Sequence, residues 1–289
     1  MKYVVVGAGY TGRRVVELLP ATDTIVLSRS ARGRSARDRS STEHALDLDG
    51  TDVTLPRLPA SHALLYTVPP ARDAADDRRL HKLLECLERP PARIVYISTS
   101  GVYGDRGGER VDEAVETRPA TDRARRRVVA ESLLREWCGA RSVALFILRV
   151  PGIYGPGRLM LERIRAREPM LLESEANPGN RIHVDDLARC CVAALTRDVP
   201  AGIYNVGDGD GRSSTWFAKT VARLAGLPPP PEIPRAQAME KMSATRLSFL
   251  AESRRLDTTK MRDALGVVPE YADAEAGIRA SLAADGLLV

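Results

Sequence analysis

Residues 4–12 read Val-Val-Val-Gly-Ala-Gly-Tyr-Thr-Gly, an apolar run that passes directly into a GxGxxG pattern. A helical pattern begins at Arg13, so the glycines lie between a predicted strand and a predicted helix. In that context Gly7 allows a tight turn, Gly9 lets the backbone approach a pyrophosphate, and Gly12 lets the helix pack closely on the strand. The helix N-terminus adds free N–H groups, which suit a dinucleotide. A glycine-rich turn without a ligand is the alternative.

Short apolar runs alternate with helical patterns along the chain. The predicted strands cover residues 4–6, 24–27, 45–48, 62–68, 94–98, 143–149 and 203–206. This alternation predicts an α/β fold with a doubly wound parallel sheet, a Rossmann sheet of six or more strands. We expect a dinucleotide-binding domain over residues 1–155, completed by 181–207. A small C-terminal substrate lobe is expected from residues 156–180 and 208–289.

Composition excludes several classes of protein. With 44% hydrophobic and 28% charged residues among 289, the chain is globular and not disordered. No apolar run reaches the roughly 18 residues of a membrane span. The four cysteines show neither paired nor metal-ligand spacing, which favours a reduced, cytoplasmic protein without a metal. The net charge is +5, but aromatics are only 4% and no basic stripe interleaves with them, so no nucleic-acid partner is expected.

The end of the second predicted strand bears on the choice of nucleotide. NAD binders usually carry a carboxylate there, whereas this chain has Ser28-Arg29 and no carboxylate between Thr24 and Arg37. A guanidinium suits a 2′-phosphate, so we predict NADP, with NAD as the alternative. An ordinary surface arginine is the other interpretation of Arg29. Asp47, after the third strand, is placed either to reach an adenine edge or to form a turn.

Four further segments carry a family resemblance. They are Ile-Ser-Thr-Ser-Gly-Val-Tyr-Gly at 97–104, Leu-Arg-Val-Pro-Gly-Ile-Tyr-Gly-Pro-Gly at 148–157, Arg-Ile-His-Val-Asp-Asp-Leu-Ala at 181–188 and Tyr-Asn-Val-Gly at 204–207. In this order they resemble the epimerase/dehydratase branch of the extended short-chain dehydrogenase/reductase family. The resemblance covers nearly the whole chain and implies a Rossmann fold and a nicotinamide cofactor. It also implies cofactor contacts from Tyr10, Thr11, Thr67 and Pro69, and from Pro151 and Gly152 beside the nicotinamide.

The chain departs from this family at its catalytic Tyr-xxx-Lys pair. Alignment on Ala130-Glu131 puts Arg123 at the tyrosine position and Arg127 at the lysine position. No tyrosine of the chain has a lysine four residues later, so the pair is absent and not merely displaced. In lacking the pair, the chain is similar to atypical members such as the YeeZ-like group, which keep the cofactor-binding fold but lose the Tyr-Lys pair.

The resemblance implies roles for four residues near the expected site. Thr99 takes the family's catalytic Ser/Thr position, where its hydroxyl polarises a carbonyl or only closes the strand end. An arginine is too weak an acid to deliver a proton near neutrality, so Arg123 is a fixed electrophile or an anion ligand. Arg127 would hold the nicotinamide ribose, unless both arginines belong to a solvated helix face. Tyr103 is a catalytic candidate that is mostly structural in the family.

Three functions remain compatible with these residues. The first is an NADP(H)-dependent oxidoreductase acting on a small-molecule substrate without the Tyr-Lys pair. The second is a non-catalytic NAD(P)-binding redox sensor or partner-binding module. The third is a nucleotide-sugar epimerase or dehydratase, which the missing pair disfavours. The sequence leaves open whether the chain forms a homodimer.

Overall fold

The fold is built on a central parallel sheet. A computed structural model describes residues 1–29, 42–71 and 76–289 of the chain. The strands of these ranges are β1 (Lys2–Val6), β2 (Thr24–Ser28), β3 (Thr42–Ala45), β4 (His62–Tyr66), β5 (Arg93–Thr99), β6 (Arg110–Val111), β7 (Ala144–Val150), β8 (Gly152–Tyr154), β9 (Met170–Leu171), β10 (Arg181–His183), β11 (Gly202–Asn205), β12 (Glu232–Ile233) and β13 (Arg255–Leu256). Seven of them form one sheet in the order β11-β7-β5-β4-β1-β2-β3, and every pairing in it is parallel. The predicted doubly wound α/β fold is confirmed.

Helices connect the strands. They are α1 (Tyr10–Leu18), α2 (Arg78–Glu85), α3 (Asp122–Gly139), α4 (Leu161–Arg165), α5 (Val184–Thr196), α6 (Ser214–Leu224), α7 (Arg235–Lys241), α8 (Ala244–Leu250), α9 (Thr259–Asp263) and α10 (Ala274–Ala284). Side chains that accept a backbone N–H begin several of them, including Thr121 for α3 and Ser213 for α6. Within the described ranges, no helix has both the length and the apolar composition to cross a bilayer.

Alternate residues of the strands build two apolar layers. Val5 packs on one face of the sheet with α1 and α5, and Val4 and Val6 pack on the other with α2 and α3. All five residues of β4 are buried, as a central strand covered on both faces requires. Because all the strands run parallel, their carboxyl ends meet at one edge of the sheet. Successive strands are added on one side of β1 up to β3 and on its other side from β4 onward, so the strand order switches between β1 and β4. This edge is where doubly wound folds bind ligands.

The third strand lies earlier than expected. Sequence periodicity predicted it at residues 45–48, whereas β3 covers Thr42–Ala45. This is an edge strand with mostly exposed, polar side chains, so it lacks the apolar run that marks a buried strand. The leucines that suggested a strand, Leu46 and Leu48, are buried just beyond its end.

Residues 156–180 and 208–289 contain α4, α6–α10 and three short strands. Helix α6 packs against α4 and α10 around Phe217 and Ile278, while β9 pairs with β12. The segment also reaches back: β13 pairs with β6, and Met261 of α9 packs into the core of the central sheet. The division into domain and lobe at these boundaries stays a prediction.

Candidate functional site

The turn between β1 and α1 depends on glycine at two positions. Gly7 has a φ of +99°, and a Cβ atom there would lie 2.5 Å from Thr67 Oγ1. A Cβ atom at Gly12 would lie 2.0 Å from the carbonyl oxygen of Gly7. Both distances are too short for carbon. A side chain at Gly7 would collide with Thr67, and one at Gly12 would push α1 away from the end of β1.

Gly9 faces open space instead. Its φ of −78° suits any residue, and a Cβ atom there would have no heavy atom within 4 Å. It is the N-cap of α1, where no side chain bonds the N–H groups of the first turn. These N–H groups and the space beside them suit an anion such as a pyrophosphate.

A cleft of about 350 Å³ opens in front of this turn, at the carboxyl ends of β1, β2 and β4. Its lining residues are Val6, Gly7, Ala8, Gly9, Arg13, Leu27, Ser28, Arg29, Leu46, Leu48, Asp49, Thr67, Val68, Pro69 and Arg79. The structure therefore brings together Gly7, Gly9, Arg29, Thr67 and Pro69, which were predicted separately from sequence.

Thr67 and Pro69 shape the cleft through hydrogen bonds. The Thr67 hydroxyl donates to the carbonyl oxygen of Gly7 at 2.7 Å, which fixes the turn. The carbonyl oxygen of Pro69 accepts from Arg79 Nη1 at 2.9 Å, which draws that guanidinium into the cleft.

Two arginines and one aspartate form a charged cluster in the cleft. Asp49 accepts from Arg79 Nε at 2.6 Å and from Arg79 Nη2 at 2.7 Å, and Arg29 Nη1 lies 3.5 Å from Asp49 Oδ2. The hydrogen bonds from Arg79 hold the pKa of the Asp49 carboxyl below its usual value. Two guanidinium groups against one carboxylate leave a net positive charge, and Arg13 adds to it from the first turns of α1.

Asp47 lies outside this cleft lining. It is exposed, and its Oδ1 accepts the backbone N–H of Asp49 at 3.0 Å, as in a turn. A contact from Asp47 to an adenine stays a prediction, while the carboxylate that the structure places in the cleft belongs to Asp49.

Tyr10 and Thr11 occupy the first turn of α1. The Tyr10 hydroxyl donates to the carbonyl oxygen of Pro156 at 2.9 Å, and the Arg158 guanidinium lies 4.0 Å from the centre of its ring. Thr11 is buried. Tyr10 thus joins the glycine turn to the loop after β8.

Thr99 ends β5 beside the end of β7. Its Oγ1 accepts the backbone N–H of Gly101 at 3.2 Å and begins a 3₁₀ turn at Ser100–Tyr103. The hydrogen bond uses the hydroxyl oxygen as acceptor, so the hydroxyl hydrogen remains a donor for a substrate. Pro151 and Gly152 follow β7 directly, and Val150 pairs with Thr99 in the sheet. The structure therefore places Thr99, Pro151 and Gly152 at the same edge.

A buried ion pair lies under this edge. Arg149 of β7 donates to Glu131 of α3 from Nη2 at 2.8 Å and from Nε at 3.2 Å, and their side chains are 3% and 1% exposed. Ser98 Oγ donates to Glu131 Oε1 at 2.6 Å. The network joins β5, β7 and α3 one residue below Thr99.

Arg127 is held toward the core of the sheet. Its Nη1 donates to the Tyr96 hydroxyl at 2.9 Å, and the Tyr96 ring stacks on Tyr66 at 6.1 Å. Tyr96 is fully buried, and burial raises its pKa to about 12. A guanidinium has five N–H donors, so this contact leaves others for a ribose.

Arg123 lies one helical turn before Arg127, at the start of α3. Partial desolvation lowers the pKa of its guanidinium. The charge of Glu252 raises this pKa, and the charge of Arg254 lowers it. Glu252 and Arg254 form a largely buried ion pair of 2.8 Å. Arg123 therefore stands between the sheet and residues of the predicted lobe.

Tyr103 is enclosed in the protein. It is fully buried, and its hydroxyl donates to Asn205 Oδ1 at 2.7 Å. The Arg149 guanidinium lies 4.8 Å from the centre of its ring. This geometry suits a structural tyrosine and gives no support to a catalytic one.

A model of the NAD dependent epimerase/dehydratase family matches residues 3–207. This stretch contains the glycine turn, the arginine cluster and Thr99. The chain belongs to the NAD-dependent epimerase/dehydratase family.

The chain is also similar to individual proteins of known sequence or structure. The chain is 25% identical over 209 residues to the dTDP-glucose 4,6-dehydratase of Mycolicibacterium smegmatis, which covers 68% of the chain and 60% of that relative. A functionally unknown conserved protein from Silicibacter pomeroyi DSS has a similar structure, with a TM-score of 0.80, 28% identity and 98% of both chains covered. The UDP-glucuronic acid 4-epimerase from Bacillus cereus, in complex with NAD, has a TM-score of 0.73 at 17% identity over 99% of both chains, and so shares the fold.

As a member of the epimerase/dehydratase family, the chain is expected to hold a nicotinamide dinucleotide, and the residues present fit one. The open position at Gly9, the free N-terminus of α1 and the positive cleft suit its phosphates. Within residues 1–29, 42–71 and 76–289, His, Cys, Asp and Glu form no cluster that could hold a metal ion.

Three residues of this candidate site were not predicted from the sequence: Asp49, Arg79 and Tyr96. Asp49 could have been predicted from the sequence, because two carboxylates, at positions 47 and 49, follow the start of the third strand. Arg79 lies on a separate helix, 30 residues away from Asp49, and no local pattern links them. Tyr96 is an interior strand residue whose contact with Arg127 depends on the packing of α3 on β5.

Proposed function

We propose that this protein is an NADP(H)-dependent oxidoreductase that reduces a small-molecule carbonyl compound without a Tyr-Lys pair. The observation that carries the proposal is the positive cleft in which Arg29 and Arg79 flank the glycine turn. A 2′-phosphate would find a guanidinium there, whereas the Asp49 carboxylate is already bound on both oxygens by Arg79. A bound nicotinamide would supply or accept the hydride.

Replacement of Arg29 by alanine tests the cofactor preference. We expect NADP affinity to fall about 10-fold, at the low end for a charged hydrogen bond because the Arg29 side chain is 72% exposed. NAD affinity should change less than twofold, since NAD lacks the 2′-phosphate. The measurement is titration of both cofactors against the parent and Arg29→Ala, with Arg141→Ala, a distant surface arginine, as the matched control. Equal affinity of the parent for NAD and NADP would contradict the preference.

The chain's own groups suit an electrostatic mechanism at the carbonyl. When a hydride reaches the carbonyl carbon, the electron pair of the C=O bond moves to the oxygen, which becomes negative and takes a proton from water. Thr99 would donate a hydrogen bond to this oxygen, and Arg123 would stabilise its charge while remaining protonated. Arg127 would hold the ribose with the N–H groups that Tyr96 does not use.

Replacement of Thr99 by valine tests this role. Valine keeps the shape and removes the donor, so we expect kcat to fall roughly 100-fold, as for loss of one donor to a developing oxyanion. Cofactor affinity should stay within twofold of the parent value. The measurement is NADPH consumption against a panel of carbonyl compounds, with the exposed Thr196→Val as the control. An unchanged kcat would remove Thr99 from the mechanism.

A nucleotide-sugar epimerase or dehydratase is the second candidate, favoured by the curated relative and by the shared fold of the 4-epimerase. Those reactions regenerate their cofactor, so they would convert a dTDP- or UDP-sugar with no net consumption of NADPH. Conversion of such a sugar by the parent would replace the proposed function by this one. Tight cofactor binding with neither activity would indicate the non-catalytic sensor or binding module.

A further inference from the structure

We propose that the chain has a second binding site, at the edge of the sheet opposite the dinucleotide cleft, for a small carboxylic acid that carries a hydroxyl group at its other end. The site is a cavity of about 330 Å³ beside His62, at the amino end of β4. Residues 55–60, before β4, form one wall, and residues 86–89, after α2, form the other. We call it the His62 cavity. It shares no lining residue with the dinucleotide cleft.

His62 forms the closed end of the His62 cavity. It is the first residue of β4, it lines the cavity, and none of its surface is exposed. Side chains alternate along a strand, so His62 lies on the same face of the sheet as Leu64 and Tyr66. This is the face that α2 covers. The cavity therefore lies under the C-terminal end of α2.

The second ring nitrogen of His62 is a hydrogen-bond acceptor without a donor. Nδ1 lies 2.8 Å from the carbonyl oxygen of Pro59, which can only accept, so Nδ1 carries the hydrogen. Burial lowers the pKa of the imidazole, so the ring is neutral near neutral pH and Nε2 keeps its lone pair. Nε2 is buried and has no hydrogen-bond partner among the described residues. An unmatched buried acceptor is costly, so a hydroxyl group that donates to it would be stabilised.

The end of α2 also favours a neutral donor over an anion at this depth. The helix ends at Glu85, and its C-cap, Cys86, lines the cavity. A helix C-terminus carries partial negative charge, because its last carbonyl oxygens have no partner within the helix. The Cys86 thiol donates to the carbonyl oxygen of Val53 at 3.1 Å, so its hydrogen is already used. A carboxylate would be repelled here, whereas a hydroxyl group fits.

The rim of the cavity is positive. Arg57 and Arg89 stand on opposite walls, and both residues are exposed. Within the described ranges, neither guanidinium is paired with a carboxylate. The lining also contains Glu88, so two positive groups face one negative group. A carboxylate at the rim would gain charge-assisted hydrogen bonds from the two guanidinium groups.

The remaining walls are largely apolar. Leu55, Leu58 and Leu87 line the cavity and pack against the apolar layer that α2 covers. Pro56 and Pro59 stiffen the wall before β4, which lowers the entropy lost when a ligand enters. The volume is in the range of small-molecule sites. These walls suit the hydrocarbon body of the ligand, with its hydroxyl group at the closed end and its carboxylate at the rim.

Calorimetric titration of para-hydroxyphenylacetate tests the proposal. We expect the parent to bind this probe, and to bind phenylacetate, which lacks the hydroxyl group, about 10-fold more weakly. Arg57→Ala/Arg89→Ala should bind the probe about 10-fold more weakly than the parent, since both charged partners are lost. The control Arg141→Ala/Arg165→Ala removes the same charge from exposed positions elsewhere and should bind as the parent does. An excess of NADPH should not displace the probe.

Two further measurements locate the probe in the His62 cavity. His62→Phe keeps a ring but removes the acceptor, so it should bind the probe and phenylacetate equally. Its thermal midpoint reports folding, and the comparison of the two acids on the parent does not depend on this variant. The probe should also slow the alkylation of Cys86 by iodoacetamide, measured by mass spectrometry. Cys86 is partly exposed, whereas Cys138, Cys190 and Cys191 are buried.

Five results would overturn the proposal. The first two are no binding of the probe by the parent and equal affinity of the parent for the two acids. The others are equal losses in the two double variants, displacement of the probe by NADPH, and an unchanged rate of Cys86 alkylation. The outcome does not depend on the proposed reaction, because no readout measures turnover.

Discussion

Replacement of Arg149 by methionine is expected to lower the free energy of unfolding by about 3–5 kcal/mol, the usual cost of removing one member of a buried ion pair. Methionine fills similar space but leaves the Glu131 carboxylate, 1% exposed, without its two hydrogen bonds from Arg149. Urea denaturation of the parent and the variant gives the difference directly.

Arg135→Met is the matched control for this prediction. Arg135 binds the same Glu131 carboxylate at 3.0 Å, but its side chain is 45% exposed. Exposed pairs contribute at most about 1 kcal/mol, so the control should lose far less. Equal losses in the two variants would mean that burial does not set the strength of this network. Since Ser98 and Glu131 lie beside Thr99, Arg149→Met should also lower kcat in the molecules that remain folded.

Replacement of Gly9 by valine is expected to weaken dinucleotide binding about 100-fold or more, roughly 2.7 kcal/mol, without unfolding the protein. The backbone at Gly9 is extended and no protein atom lies near a Cβ there, so valine fits the fold. Its side chain would occupy the space that a pyrophosphate needs above the N-terminus of α1.

Fluorescence titration with NADPH measures this effect, and the thermal midpoint reports folding. Gly139→Val is the control, because a Cβ at that position also meets no heavy atom within 4 Å but lies at the far end of α3. An affinity for Gly9→Val within threefold of the parent would place the dinucleotide elsewhere.

Local sequence was sufficient for most of the fold. The glycine pattern at 7–12 and the buried apolar strands depend on backbone conformation and on burial, which neighbouring residues determine. The polar edge strand β3 was misplaced, because an exposed strand is held by backbone hydrogen bonds to β2 and needs no apolar side chains. The small lobe was harder to divide, since β6 and α9 pack across its expected boundaries.

Local sequence predicted only part of the candidate site. Thr99, Pro151 and Gly152 follow strands that were recognised, so their meeting at one edge of the sheet could be expected. The charge cluster of the dinucleotide cleft could not be expected, because it depends on a hydrogen bond between Arg79 and Asp49, which are 30 residues apart in the chain. The burial of Tyr103 could not be expected either, because its hydroxyl bonds Asn205, which lies far along the chain.

Residue types at short spacing were sufficient to predict the family, the parallel sheet, the glycine turn and the absence of a Tyr-xxx-Lys pair. Packing in three dimensions was needed to bring Arg127 to Tyr96 and to place Asp49 in the dinucleotide cleft. The two groups of features differ in the separation along the chain over which their interactions act. Strand and turn preferences act between neighbours, whereas ion pairs and clefts arise from segments that packing brings together.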